Sequence, residues 1–392
     1  MTAGPVRTLV LTDDTAWPTD TGYRQRLSHV LAGLCEAGHV TWVVMAADSK
    51  SVHPVPVALQ DDPRLDVVLI TAPWRPVASG LLRYLAGWAP WWVARRDWDA
   101  ALAGLPAVQP DLVWCSHLET WGGLRRVLPD ARLVIDLDNV MDVVVTRRAR
   151  RAGRLRGVVL RLDAHRWRLL RHRARSAGAT LVVCSQDDAE VVGTGAVVVP
   201  NAYESPEAVV RRPAQPPTLL LVGSFDYPPN DEAAQWCARQ VLPLVRALRP
   251  DVRLRLVGRP GAGTPALAAV PGVDVVGRVD DLGAELSAAA VCVVPLLVGG
   301  GTRVKLLEAF ATKVPVVSTS VGAEGTAARD GTHLLLADDA AGFAAACLLL
   351  IDQPEVATRL AEAGEQLWAQ RYRGSQVRAA VTELARRRST SA

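Results

Sequence analysis

Short runs of Val and Leu alternate along the chain with longer segments of helical period. In the first half, apolar runs at 7–12, 40–46, 66–71, 111–116, 131–137, 180–185 and 196–200 predict strands. A second series at 218–224, 252–258, 273–279, 291–296, 314–320 and 332–338 predicts more. Helical segments separate most of them. The strand runs are apolar at consecutive positions, not alternate ones. Strands of that kind are buried on both faces, and when helices intervene they build parallel sheets covered on both sides. Residues 200–217, PNAYESPEAVVRRPAQPP, are Pro-rich, break the pattern and read as a linker.

Two such series around one linker predict an α/β chain of two Rossmann-like domains with parallel sheets facing a central cleft. The N-terminal domain spans 1–199 and the C-terminal domain 218–371. Residues 372–392 form a last helix that returns to the N-terminal domain. Loops at the C-terminal strand ends should carry the chemistry.

The chain has 392 residues, 49% hydrophobic and 21% charged, which excludes a disordered or fibrous protein. Its net charge of +4 does not by itself imply a nucleic-acid partner. The charge is uneven, however. Residues 147–175 hold twelve Arg against one acid, Asp163. Leu155, Val159, Leu162 and Leu169 give this segment a partial apolar stripe. It is expected to be one basic helix, either solvated on the first domain or touching an anionic membrane. No nucleic-acid-binding motif accompanies the charge. Residues 74–98 add six aromatics, including Trp74, Trp88, Trp91, Trp92 and Trp98. The six cysteines form no C-x-x-C pair, which fits structural thiols in a reducing compartment. The start, MTAGPVRTLVLTDD, does not read as a signal peptide, and no apolar stretch reaches the ~20 residues of a membrane helix. A cytoplasmic protein is expected, with peripheral contact at the inner membrane face as a further option.

The most informative segment is GGGTRVKLLEAFAT at 299–312. Gly299, Gly300 and Gly301 leave a strand, and a helix should begin near Thr302. Glycine allows close backbone approach to a ligand, and a helix start attracts anions. Arg303 and Lys305 oppose the helix dipole there, a conflict that an anionic ligand would resolve. Glu308 interrupts the apolar stretch VKLLEAFA. It either accepts hydroxyl hydrogen bonds, as from a ribose, or pairs with Lys305 on a solvated face.

The stretch GGGTRVKLLEAFATKVPVVSTSVGAEG resembles the donor-site signature of glycosyltransferase family 4, which has the GT-B fold. The resemblance extends to VGSFDYPPN at 222–230, VGRVDDLGAELSAAAVCVVPL at 276–296, Pro200–Asn201 and WPTDTGYRQR at 17–26. It implies a second domain that binds a nucleotide diphosphate sugar and a first domain that binds a hydroxyl-bearing acceptor. It also implies retention at the anomeric carbon without cofactor or obligatory metal. Glu308 matches the second acid of the family's E-x7-E motif and is expected on the nucleotide ribose. The first acid is replaced by Gly300, so sugar contacts fall to backbone or to Glu324 in VGAEG. The loop after the strand ending at Gly223 lacks the family's frequent cations, and Arg303 and Lys305 are expected to clamp the diphosphate instead. Asp226 and Asn230 then face the cleft, or Asn230 caps the helix starting DEAAQW.

In the first domain, Gly22 alone remains of a Gly pair common in the family. Asp20 orients an acceptor hydroxyl or caps the helix over 22–37. Arg24, with Arg26, is a candidate acceptor contact or a solvated helix residue. His117 ends the strand DLVWCS, where it could hydrogen-bond sugar hydroxyls or act as a general base. Asp138 and Asn139 end the strand ARLVIDL in a similar position. The other histidines show no ligand spacing, so no metal site is expected. Two other readings compete: a nucleotide-sugar epimerase of the same fold, and a non-catalytic module whose basic helix holds anionic lipid or nucleic acid.

Overall fold

The computed structural model describes residues 4–17, 21–46, 61–71, 74–86, 90–95, 109–124, 131–205, 210–298 and 303–387. The chain divides into two compact units. One comprises residues 1–200 with 374–392, and the other 201–373.

In the first unit, β1 (Val6–Thr12) leads into α1 (Gly22–Ala37) and β2 (Gly38–Ala46). There follow β3 (Leu65–Thr71), α2 (Val77–Leu85), α3 (Trp91–Arg95), β4 (Leu112–Ser116) and α4 (Leu118–Leu124). Then come β5 (Arg132–Leu137), α5 (Met141–Arg151), α6 (Arg154–Ser176), β6 (Thr180–Val183), α7 (Gln186–Val192) and β7 (Val197–Val198). The sheet order is β3-β2-β1-β4-β5-β6-β7, with every pairing parallel. Leu9, Val10 and Leu11 of β1 are all buried, as the consecutive apolar pattern requires of a central strand. The fully buried Trp42 donates from Nε1 to Thr12 Oγ1 at 2.9 Å, so its one polar atom is satisfied inside the core.

The second unit runs β8 (Thr218–Val222), α8 (Pro228–Trp236), α9 (Leu242–Leu248), β9 (Arg253–Val257), β10 (Val273–Gly277) and α10 (Leu282–Ala288). It continues through β11 (Val291–Val294), α11 (Val304–Ala311), β12 (Val316–Ser318), α12 (Ser320–Ala323), β13 (Leu335–Leu336), α13 (Ala340–Asp352) and α14 (Pro354–Arg371). Its parallel sheet has the order β10-β9-β8-β11-β12-β13. Alternate residues of β8 and β11 enter different cores: Leu219, Leu221, Val291 and Val293 on one face, Leu220, Cys292 and Val294 on the other. The final helix, α15 (Gly374–Arg386), packs on α1 of the first unit. Thr382 Oγ1 donates to Gly33 O at 2.8 Å, and Arg132 Nη2 donates to Leu384 O at 3.0 Å.

Several local expectations are corrected. Residues 147–175 belong to two helices, α5 and α6, because Ala152 is extended and Gly153 precedes the first turn of α6. Helix α11 starts at Val304, with Arg303 at its N-cap. Strands β7, β12 and β13 are shorter than their apolar runs. All six cysteines are buried free thiols. Among the described residues no single helix is long and apolar enough to cross a membrane.

Candidate functional site

In both sheets, strand order reverses direction beside the first strand of the unit. The switch lies between β1 and β4 in one and between β8 and β11 in the other. Crevices for ligands open beyond the carboxyl ends of the strands at such points. Described residues from the predicted set lie at both places.

In the second unit, Gly223 directly follows β8. A Cβ on that residue would lie 3.1 Å from Lys305 Nζ and 3.2 Å from the Asn230 side chain. Gly258, at the end of β9, has φ +136, and a Cβ there would meet Gly223 O at 1.9 Å. Only glycine suits both that backbone conformation and that approach. Lys305, in the first turn of α11, donates to Asn230 Oδ1 at 2.8 Å, and Asn230 Nδ2 donates to Ser224 O at 2.8 Å. Asn230 therefore is not an N-cap. Helix α8 begins at Pro228, which places Asn230 inside it and leaves its amide to hold Lys305.

Arg303 is buried and donates from Nη2 to Val321 O at 3.3 Å, which ties it to α12 and so to the segment carrying Glu324. Burial and the nearby Arg303 charge pull the Lys305 ammonium down to about 8, against the opposing pull of Glu308 and Cys292. Two cations thus share a partly dry helix start whose dipole also repels them. Glu308 is buried, which excludes the solvated-face pairing. Burial first, and then the Glu308 charge, raise the Tyr203 phenol. Asp226 accepts from Arg259 Nη1 at 3.0 Å. The loop after β8 has no cation of its own, but the next loop supplies one. Gly299, Gly300, Gly301 and Thr302 lie outside the described residues.

In the first unit, a cavity of about 340 Å³ is lined by Asp13, Asp14, Tyr23, His117, Glu119 and Asp138, with Asn139 beside them. Asn139 Nδ2 donates to Asp138 Oδ2 at 3.2 Å. His117 sits at φ 70, an uncommon conformation for a residue with a Cβ. Its backbone N–H donates to Asp136 O at 2.9 Å. Its ring stacks on Tyr23, with centroids 4.4 Å apart, and its Nδ1 lies 3.3 Å from Asp13 Oδ1. Burial opposes charge on this imidazole. The hydrogen bond and charge of Asp13, with Glu119 and Asp138, outweigh it and push the ring up to about 10. A ring held protonated donates and cannot act as a general base near neutral pH.

Asp13, His117 and Glu119 each bring one ligand atom within 4.8 Å of the others, a grouping that could hold a metal ion. Sequence spacing could not show it, because Asp13 and His117 are far apart in the chain. Asp13, Asp14, Tyr23 and Glu119 were all missed. The available signal was position: the two aspartates directly follow β1, and Glu119 follows the strand-end His117 by two residues.

Arg24 and Arg26 are not solvated. Arg24 pairs with Asp14 through two bonds of 3.1 Å. Arg26 is 2% exposed, forks onto Asp136 at 2.6–3.1 Å, and donates to Val199 O. Thr21 caps α1, accepting from Arg24 N at 3.3 Å, and Gly22 is the first helical residue. The capping role considered for Asp20 therefore belongs to Thr21; Asp20 itself lies outside the described residues.

Two Rossmann-like units with these strand orders define an α/β fold of the GT-B class, and comparisons with known proteins agree. Residues 216–353, within the second unit, match the family model described as glycosyl transferases group 1. The phosphatidyl-myo-inositol mannosyltransferase of Mycobacterium leprae is 30% identical over 189 residues, covering 45% of this chain and 50% of the relative. The chain matches between 35% and 50% of the length of its curated relatives. Sucrose-phosphate synthase from Thermosynechococcus elongatus superimposes with a TM-score of 0.70 at 20% identity, over 97% of this chain and 98% of the other. The Anabaena protein Alr3699/HepE, solved in complex with UDP-glucose, gives 0.65 at 14% identity, over 96% and 98%.

Proposed function

We propose that the protein is a retaining, metal-independent glycosyltransferase of family 4. It would move a sugar from a nucleotide diphosphate sugar to a hydroxyl of a natural-product or cell-envelope glycan acceptor. The observation that carries this reading is the buried Arg303 and half-buried Lys305 at the start of α11, with Lys305 beside the bare backbone of Gly223. Desolvated cations at a helix start beside glycine suit a diphosphate. Negative charge grows on the leaving diphosphate during transfer, so donors fixed there stabilise the transition state more than the ground state. Buried Glu308 is suited to the ribose hydroxyls, and Glu324 to the sugar. Similarity to a protein that holds UDP-glucose and to a mannosyltransferase supports a nucleotide-sugar donor.

The carboxylates of the first-unit cavity accept hydrogen bonds from acceptor hydroxyls, and protonated His117 donates to a sugar oxygen. The acceptor oxygen bonds to the anomeric carbon on the face from which the diphosphate departs. A phosphate oxygen takes the hydroxyl proton, and no protein nucleophile intervenes. Buried free thiols suit the cytoplasm.

A thermal-shift screen of nucleotide sugars tests the donor site: a ligand at a hundred times its dissociation constant adds ~2.7 kcal/mol of stability. Transfer is then followed with the selected donor. The product should keep the donor's anomeric configuration, and a chelator should leave the rate unchanged. An inverted linkage rules out retention. Activity lost on chelation and restored by magnesium or manganese rules out metal independence and points to Asp13, His117 and Glu119. Donor converted to its epimer without acceptor overturns the transferase reading.

A further inference from the structure

Helices α2, α3 and α6 of the first unit are joined by specific contacts. The Arg166 guanidinium lies 3.7 Å from the centre of the Tyr84 ring, Tyr84 meets Trp91 edge-on, and Trp91 N donates to Asp163 at 3.1 Å. Helix α6 buries Asp163, Trp167, Leu170 and Ala174 against its own unit. About a quarter turn away runs a second, uncovered stripe. Leu155 is 88% exposed, Val158 60%, and Val159 and Leu162 also face solvent. On α2, Leu82 is 70% and Leu85 65% exposed, beside exposed Val77 and Leu81. Trp74 and Trp92 are exposed too, with ring centroids 5.7 Å apart. Isolated exposed leucines are ordinary, but a set of them on adjoining helices marks an interaction surface.

Charge selects the occupant. Arg148, Arg150 and Arg151 close α5, and Arg154 and Arg156 open α6 around Leu155, all of them exposed. A second copy of this face would bring like charge against like charge. An RNA backbone would satisfy the arginines but leave the leucines and tryptophans in water. An anionic lipid surface satisfies both, taking the guanidinium groups at its phosphates and the apolar side chains below them.

We propose that α2, α3 and α6, with the end of α5, form a docking surface for an anionic phospholipid bilayer, in which Leu82, Leu85 and Leu155 insert. This goes beyond the reaction and does not depend on it.

The test is flotation of the full chain with vesicles of phosphatidylcholine alone and of phosphatidylcholine mixed with phosphatidylglycerol. Binding is expected only to the mixed vesicles. Arg150→Ala, Arg151→Ala and Arg154→Ala combined should weaken it roughly a hundredfold, at about fivefold per arginine, the equivalent of ~1 kcal/mol each. Leu82→Asp with Leu155→Asp should abolish what survives at high salt. Both side chains are exposed, so circular dichroism should stay unchanged. Brominated acyl chains should quench tryptophan fluorescence in the parent chain. Equal binding to neutral vesicles overturns the proposal, as does binding indifferent to both sets of substitutions. Arginine-dependent binding to single-stranded RNA without vesicle binding, or dimerisation lost in Leu82→Asp, also overturns it.

Discussion

Lys305 offers the sharpest test, because its charge should depend on pH where most lysines do not titrate. Burial and Arg303 pull the ammonium down to about 8. It would then be about 90% charged at pH 7 and about 10% at pH 9. If a diphosphate binds the charged form, donor affinity should fall about tenfold between those pH values. The bound phosphate should return the lysine toward its ordinary value, so binding near pH 9 should take up almost one proton. Calorimetry in buffers of different ionisation enthalpy measures both quantities. A nucleotide sugar is the right probe, since its diphosphate does not titrate in this range. Lys305→Met should bind weakly and with a flat profile. Asn230→Asp places a carboxylate where the amide now accepts from Lys305, and should move the midpoint upward while competing with phosphate. A wild-type affinity constant from pH 7 to 9 would refute the reasoning, and so would a tenfold fall that persists in Lys305→Met.

Glu308→Gln should raise donor KM roughly tenfold or more with little change in kcat, because a ribose contact changes little during reaction; steady-state kinetics with varied donor checks this. Arg26→Met strands Asp136, 3% exposed, without its fork, and should cost about 3–5 kcal/mol in denaturant unfolding, partly recovered by adding Asp136→Asn. His117, pushed up to about 10 in the folded chain from an ordinary 6.5, should stabilise the first unit fully below pH 6.5 and progressively less as pH rises through 10. The stability difference between wild type and His117→Gln should narrow over that window, and imidazole NMR should show no titration near 6.5.

Much of the fold was legible because both sheets are buried on two faces, which writes each strand as a continuous apolar run. Leu219, Leu220 and Leu221 belong to two different cores, yet appear in sequence as one block. Local polar contacts were less legible. Arg26 reads as a solvated helix residue, since nothing near it announces an acid; its partner Asp136 lies 110 residues away. Asn230 reads as a cap by its place before DEAAQW, but the prolines at 228 and 229 start the helix earlier and free the amide for Lys305.

The two candidate sites, one in each unit, tune charge in opposite directions, and each direction follows from what the sheet edge supplies. At the first switch point, Asp13, Asp14, His117, Glu119 and Asp138 lie just beyond the ends of β1, β4 and β5. The acids hold the imidazole charged, so this edge presents acceptors and one strong donor, a set suited to neutral hydroxyls. At the second, β8 ends in bare backbone, and the charges come from α11, where Arg303 and Lys305 raise each other's cost of staying charged. Asn230 and Glu308 offset part of that cost, and a bound anion would offset more. Composition could not reveal the contrast, because one chain with a net charge of +4 contains both environments. The contrast arises only where parallel strands end side by side, and on electrostatic grounds it accords with the proposed diphosphate site in the second unit and hydroxyl site in the first.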